Sequence, residues 1–452
     1  MKRITYAHRH DSQLYTRAAS QVHKKTQEPR PSELGLLRLP QSHSLQMIEL
    51  SGAECSPCHD APAPLPAFPR VTEPLSYDEF FREYLEKNRP CVFSARFTEG
   101  WRARRAWVAA DGTPDVDYLA RHFGEAKVPV ANCDQKHYDS QEKKTYTLQE
   151  YIQYWKNARE SSEGKKLCLY LKDWHFVQAY PDYGAYTTLQ YFASDWLNEF
   201  WKVREDIQDD YQFVYLGPKG SWTPFHADVF RSYSWSTNIC GRKRWVFYPP
   251  GEEQYLRDTF GTPVYDIDST ELSDTSKYPK AASASGRLEV IQEQGQTIFV
   301  PSGWYHQVWN LEDTISINHN WLNGTNIHIA WEFLVESLNQ VEYAIQDCSS
   351  MDEWPEQCQL LLRATHGMDY HEFYVMLRTV ARRRINLLRG AEDVISFGQW
   401  RLGKNHATYD LRRIKWCLEK LLDDQHTEGL RIFSKIEEPP SQLLEEVTVA
   451  LS

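Results

Sequence analysis

The chain has 452 residues, with 51 Lys and Arg against 62 Asp and Glu and a formal net charge of −11. That balance leaves no overall basic footprint for nucleic acid or an anionic membrane, and it favours a basic protein as partner. No apolar run approaches the roughly 18 residues of a membrane span, and nine scattered cysteines, odd in number, point to a reducing, cytoplasmic setting rather than a disulfide framework.

Residues 1–66 read as a disordered N-terminal extension, rich in Pro and Ala toward Pro66. In the first 27 residues Asp11 is the only acid, a bias that permits a mitochondrial leader, although the amphipathic spacing is poor. Met47 offers an alternative start of translation. Cys55-Ser-Pro-Cys58-His59 has the spacing of a c-type haem attachment, but no fold signal surrounds it and no second Cys pair completes a zinc site, so it reads as free thiols.

Residues 67–326 carry the signals of a catalytic domain. Ser76-Tyr-Asp-Glu79 is a capping box that opens an apolar helical run to Leu85, and Pro90 blocks continuation. Thr147-Leu-Gln-Glu150 opens a second helix through Trp155. Alternating and aromatic runs predict strands at 90–97, 167–171, 211–216, 232–240, 244–248, 288–292, 297–300, 306–310 and 314–320. Many short strands after a helical start suit a mostly β fold with helices, a double-stranded β-helix or jelly roll of the cupin type. The polar stretch 266–286 reads as an insert bordering the site.

Two His-x-Asp patterns lie in this region. His137-Tyr-Asp139 sits in polar sequence that reads as a loop. His226-Ala-Asp228 follows an apolar strand run, and residues two apart in extended backbone share a face. His306 comes later, in the turn Pro301-Ser-Gly-Trp-Tyr-His306. Two imidazoles and one carboxylate can occupy one face of an iron octahedron and leave three positions open, which makes His226, Asp228 and His306 the candidate metal ligands and catalytic centre. Lys243 shares a strand face with Trp245 and Phe247, so a cation enters an aromatic interior. A buried lysine is costly without an anion, and the anion is expected to arrive with a ligand; the alternative is a surface lysine in the basic turn Arg242-Lys-Arg244. Trp174, Tyr233, Trp235 and Trp304 suit either cavity walls or core, core being the commoner fate of large aromatics.

Beyond Asn326 the period becomes helical. Ile327, Trp331, Leu334, Leu338, Val341 and Ile345 form one apolar stripe, and further helices are predicted at 370–389, ended by Gly390, and at 409–422. A helical cap over 327–440 packed on the barrel is expected, with 441–452 a tail. Arg382-Arg-Arg384 reads as a solvated face.

The ordered set Thr223-Pro-Phe-His226-Ala-Asp228, Gly241-Arg-Lys243-Arg-Trp245, Val300 to His306 and Ile315-Ser-Ile-Asn318-His-Asn320 resembles the JmjC family of 2-oxoglutarate oxygenases. The stretches 169–175, 192–200 and 230–236 are similar to a protein-lysine hydroxylase group within it, over a region from about Pro74 to the C-terminal helices. The resemblance implies Fe(II) on His226, Asp228 and His306, with 2-oxoglutarate and O2 as cosubstrates. It pairs Lys243 with the C5 carboxylate of 2-oxoglutarate, makes Thr223 and Tyr170 hydroxyl donors to it, and places Asn320 beside it; Ser236 stands where some relatives carry Asn. It further implies carbon hydroxylation of a lysine on the eukaryotic translation termination factor, promoting termination. Demethylation of histone N-methyl-lysine and a non-catalytic JmjC binding module are the alternatives. Asp173 is, on resemblance and position, a candidate counter-ion for a substrate lysine, with a structural salt bridge as the equal alternative.

Overall fold

The computed structural model describes residues 45–55, 65–137, 140–160, 167–204, 210–390, 395–428 and 430–452. Its strands, in chain order, are β1 (Gln46–Ile48), β2 (Arg70–Val71), β3 (Cys91–Phe93), β4 (Lys127–His137), β5 (Ser140–Thr147), β6 (Leu169–Trp174), β7 (Gln212–Gly217), β8 (Trp222–His226), β9 (Tyr233–Cys240), β10 (Lys243–Tyr248), β11 (Leu288–Gln292), β12 (Thr297–Val300), β13 (Tyr305–Asn310), β14 (Thr314–Trp321), β15 (Ser396–Phe397) and β16 (Trp400–Leu402). Two sheets form the cupin-like core: a large one ordered β2-β3-β12-β9-β14-β7-β6-β4-β5 and a small one ordered β11-β10-β13-β8. Phe68, Trp245, Phe247, Ile298, Val300 and Val308 form one buried cluster with residues from both sheets.

The N-terminal helices pack on the other face of the large sheet. Both capping boxes form: Ser76 accepts from the Glu79 amide while its own amide donates to Glu79, and Thr147 and Glu150 repeat the exchange. Trp174, Tyr233 and Trp235 lie in the core on this side and Trp304 in the cluster between the sheets, all nearly inaccessible, so the aromatic set is structural.

Several expectations need correction. Within the stretch expected to be disordered, the described residues 45–55 are folded, because β1 pairs in parallel with β16 and buries Ile48 and Leu50. Two apolar residues are too short a pattern to read locally, and their partner is some 350 positions away. His137 itself ends β4 of a long hairpin with β5, exposed and paired with Ser140, while Tyr138 and Asp139 of the stretch read as a loop lie outside the described residues. The outer half of that hairpin is polar on both faces, so pairing and not patterning makes it a strand. Stretch 266–286 does not border the site. Together with Leu256 and Val264, its residues Ile267 and Tyr278 cover Phe225, Val246, Tyr248 and Tyr305, the outward-pointing side chains of the small sheet.

The helical cap is built from Ile327–Ala344, Trp354–His366, Tyr370–Arg389 and Lys404–Asp423. The predicted stripe is buried at Ile327, Trp331, Leu334, Leu338 and Val341, and Gly390 closes its helix in the left-handed conformation that favours glycine. The supposed tail is the helix Pro440–Leu451, which buries Leu443 and Val447 against the cap. Arg382, Arg383 and Arg384 are not a solvated face. Arg384 is 0% exposed and its guanidinium donates to Glu199 at 2.8 Å and to Asp410 at 2.8 Å, while Arg382 is engaged by Glu438 and Glu446.

Candidate metal centre

The inner face of the small sheet is organised in rows by its pairing register. Phe247, His306 and His226 lie side by side across β10, β13 and β8; Trp245, Val308 and Thr223 form the next row; Lys243 and Asn310 the third. Thr223 and His226 are three residues apart, an odd spacing that sends side chains to opposite faces of a regular strand. The register shifts between His306 and Val308, a bulge in β8 that restores both residues to the inner face.

One ligand atom from each of His226, Asp228 and His306 lies within 4.8 Å of the others. His226 Nδ1 is 2.7 Å from the Pro224 carbonyl and His306 Nδ1 3.0 Å from the Trp304 carbonyl, which commits both Nδ1 atoms as donors and leaves both Nε2 atoms as lone-pair ligands. Burial and the facing His306 push the His226 pKa down, so the imidazole is held neutral, the form a metal needs. Asp228 accepts from Ser234 Oγ at 2.7 Å, which fixes the carboxylate. The donor set therefore fits Fe(II), with two nitrogens and one carboxylate oxygen. Immediately after Asp228, Phe230 and Arg231 both adopt positive φ, 53° and 54°. Phe230 is buried with the cap residues, and Arg231 lies over the rings of Tyr305 and Phe333, so the cap pins the metal-side turn in a conformation that costs energy on its own.

Lys243 is buried, 2% exposed, and reaches across to the large sheet. Its ammonium donates to Ser316 Oγ at 2.8 Å and to Tyr170 OH at 3.3 Å. Burial lowers its pKa to about 7, with a contribution from Lys172. Asn320 sits farther along β14, opposite Ser234, and donates to Ser232; it lies at the Asp228 end of the site rather than at Lys243. Asn318 pairs with Ser236, whose buried hydroxyl has no partner among the described residues.

Two residues beside the site were given no role from the sequence, although parity already put Ser316 on the face of Asn318 and Asn320. Lys172 shares parity with Tyr170 on β6; it is buried, donates to Gln141 Oε1 at 2.9 Å, lies 3.5 Å from Thr223 Oγ1, and has its pKa lowered to about 8 by burial and Lys143. Asp173, at φ 59°, binds Lys143 and accepts from Tyr215 OH at 2.7 Å. Burial pushes its carboxyl up, but Lys143 and Lys172 outweigh it and hold the group ionised.

Comparison with known proteins agrees with this geometry. A cupin-like domain model matches residues 77–326. The chain is 49% identical over 391 residues to the 2-oxoglutarate and iron-dependent oxygenase JMJD4 of Gallus gallus, covering 84% of this chain and 91% of that protein. It is 45% identical over 386 residues to the Homo sapiens protein of the same name, covering 84% and 91%. It is also 44% identical over 334 residues to the arginine-specific demethylase JMJ20 of Arabidopsis thaliana, covering 71% of each. The chain belongs to the JMJD4 family of 2-oxoglutarate and iron-dependent oxygenases.

Proposed function

We propose that this oxygenase hydroxylates a side-chain carbon of a lysine on a cytoplasmic protein, the translation termination factor, and thereby promotes termination. His226, Asp228 and His306 would hold the iron, and Lys243, with Tyr170 and Ser316 around it, would take the remote carboxylate of 2-oxoglutarate. Iron with the ketoacid supplies the oxidising power of the reaction, as dioxygen is divided between the substrate and succinate and carbon dioxide is lost. The protein's part is positional. Ser234 fixes Asp228, the two backbone carbonyls fix the imidazoles, and the aromatic rings of Trp245 and Phe247 flank His306 at 5.6 Å and help keep water out.

The observation that favours a basic target side chain is Asp173, an ionised carboxylate at the edge of the site. Tyr215 donates to it; burial raises the Tyr215 pKa, and the charges of Asp173 and, to a lesser extent, Asp228 raise it further. Asp173 is already paired with Lys143, so a target ammonium would meet this carboxylate by sharing or displacing that partly exposed lysine. Demethylation is the second reading, because JMJ20, a relative over 71% of the chain, carries that activity in its name. Both reactions consume the same cosubstrates, and only the product separates them: a hydroxylated methyl group on nitrogen collapses to formaldehyde, whereas a hydroxylated side-chain carbon is a stable alcohol. Incubation of the termination factor with the full chain, Fe(II), 2-oxoglutarate and labelled dioxygen should place one labelled oxygen on a lysine. Formaldehyde from methylated peptides, with no label on that factor, would replace this reading by the second.

A further inference from the structure

Pairing Lys243 with the cosubstrate leaves a second buried ammonium in the same pocket without a task. Lys172 stands two residues from Tyr170 on the inner face of β6, 5.5 Å from the Tyr170 ring whose hydroxyl meets Lys243. Its neutral partners are Gln141 and Thr223, and Gln141 is itself anchored, its Nε2 donating to the Trp222 carbonyl on β8 at 3.1 Å. No carboxylate lies within ion-pair distance of Lys172 or Lys243 among the described residues; Asp173, the next residue along, is taken by Lys143 and Tyr215. Two buried ammonium groups that bond only neutral oxygens, with Asp173 acting on Lys172 from beyond ion-pair distance, are costly in the empty protein and become favourable when an anion sits between them.

We propose that Lys172 is a second cationic contact for the remote carboxylate of the cosubstrate, held in place by Gln141 and Thr223, and that with Lys243 it makes the pocket selective for dianionic over monoanionic 2-oxoacids. The inference rests on 2-oxoglutarate occupying the pocket at Lys243. Charge-assisted contacts of this kind are worth roughly tenfold or more in affinity. The test is calorimetric titration of the full chain loaded with Mn(II), using 2-oxoglutarate and 2-oxopentanoate, which keeps the ketoacid end and replaces the remote carboxylate by a methyl group. Lys172→Met should lower 2-oxoglutarate affinity about tenfold or more and leave 2-oxopentanoate affinity within about threefold. The ligand-free variant should melt no lower than the parent, since an unpaired buried charge has been removed. Equal losses for both ketoacids, unchanged affinity for both, or a lowered melting temperature would each overturn the role. Lys243→Ala serves as the reference: if it too leaves 2-oxoglutarate affinity unaltered, the placement of the cosubstrate fails, whereas its loss beside an unaffected Lys172→Met rejects the second contact alone.

Discussion

Two buried cation sites in this protein are built on opposite plans. In the cap, Arg384 is inaccessible and matched in charge: Asp410 takes its Nε and Glu199 its Nη1, while Nη2 has no partner among the described residues; Trp196 donates to Asp410, and His406 joins Asp410 at 3.2 Å and Tyr77 at 2.7 Å. In the pocket, Lys243 and Lys172 are also buried, 2% and 7% exposed, and hydrogen-bond only hydroxyls and an amide. A matched charge holds elements together, here the helix Trp196–Lys202 to the helices Tyr370–Arg389 and Lys404–Asp423. An unmatched one is kept for something that arrives later. Burial alone does not tell structure from function; the count of opposite charges does.

The comparison is broken most severely at the metal end. Replacing His226 or Asp228 by Ala should abolish iron-dependent turnover while the circular dichroism and melting temperature stay close to the parent's, because the ligands lie on a scaffold formed without them. The same change at His137, exposed at the end of β4, should leave turnover unaffected. Loss of activity in the His137 variant with retention in the His226 variant would contradict the metal assignment.

In the cap the expected loss is of stability. Glu199→Ala leaves Arg384 and Arg383 short of a carboxylate in a dry interface, and removing one partner of a buried pair costs about 3 to 5 kcal/mol. Denaturant unfolding would register this as a lowered midpoint, with activity per folded molecule preserved. A midpoint equal to the parent's would show that the cluster contributes nothing net.

Lys243→Ala should show the converse pattern, with folding intact and 2-oxoglutarate affinity reduced by roughly tenfold to over a hundredfold, from the ~1.5 to 3 kcal/mol of a charge-assisted contact. Iron affinity should change far less. A titration in which cosubstrate dependence is unaltered would remove Lys243 from the site.

The smallest effect is one of protons. Burial holds Lys243 at about 7 in the ligand-free protein, below its unfolded value, so it is largely neutral at pH 8 and charged at pH 6. An arriving carboxylate raises that pKa. Binding at pH 8 should therefore take up protons, binding at pH 6 should take up few, and affinity should fall as pH rises through this window. The sign for stability is the opposite: between about 7 and the unfolded value near 10.4 the unfolded chain binds more protons, so the ligand-free fold gains stability with rising pH from this group. Calorimetry in two buffers of different ionisation heat measures the uptake, and none at pH 8 would show that Lys243 enters the complex already charged. Arg384, held fully ionised by its two carboxylates, should contribute no such dependence.

Much of the site was legible because it obeys short-range rules. The strands of the jelly roll alternate, His226 and Asp228 sit two apart, and Lys243 shares parity with Trp245 and Phe247, so the inward direction of these side chains is written in the spacing. The helix Tyr370–Arg389 and its closing Gly390 were equally plain from period and cap. What was not legible depends on pairing between distant segments. The β8 bulge that turns Thr223 inward exists only in its register with β13, the partner of Ile48 lies beyond residue 400, and the polar half of β4 becomes a strand only against β5.

By itself, the sequence marked out the strands of a cupin-like core and the candidate triad His226, Asp228 and His306, and it offered Lys243 as either a buried or a surface cation, since residue type and a period of two or of 3.6 reach that far and the family resemblance supplied the rest. Only the tertiary structure decided that Ser316 and Lys172 flank that cation, that stretch 266–286 backs the small sheet instead of bordering the pocket, and that Arg384 is locked in the interior instead of solvated. These outcomes turn on which charges and faces meet across the fold. A lysine and an arginine in equally polar local sequence differ in fate only through the carboxylates that long-range packing brings to one and withholds from the other.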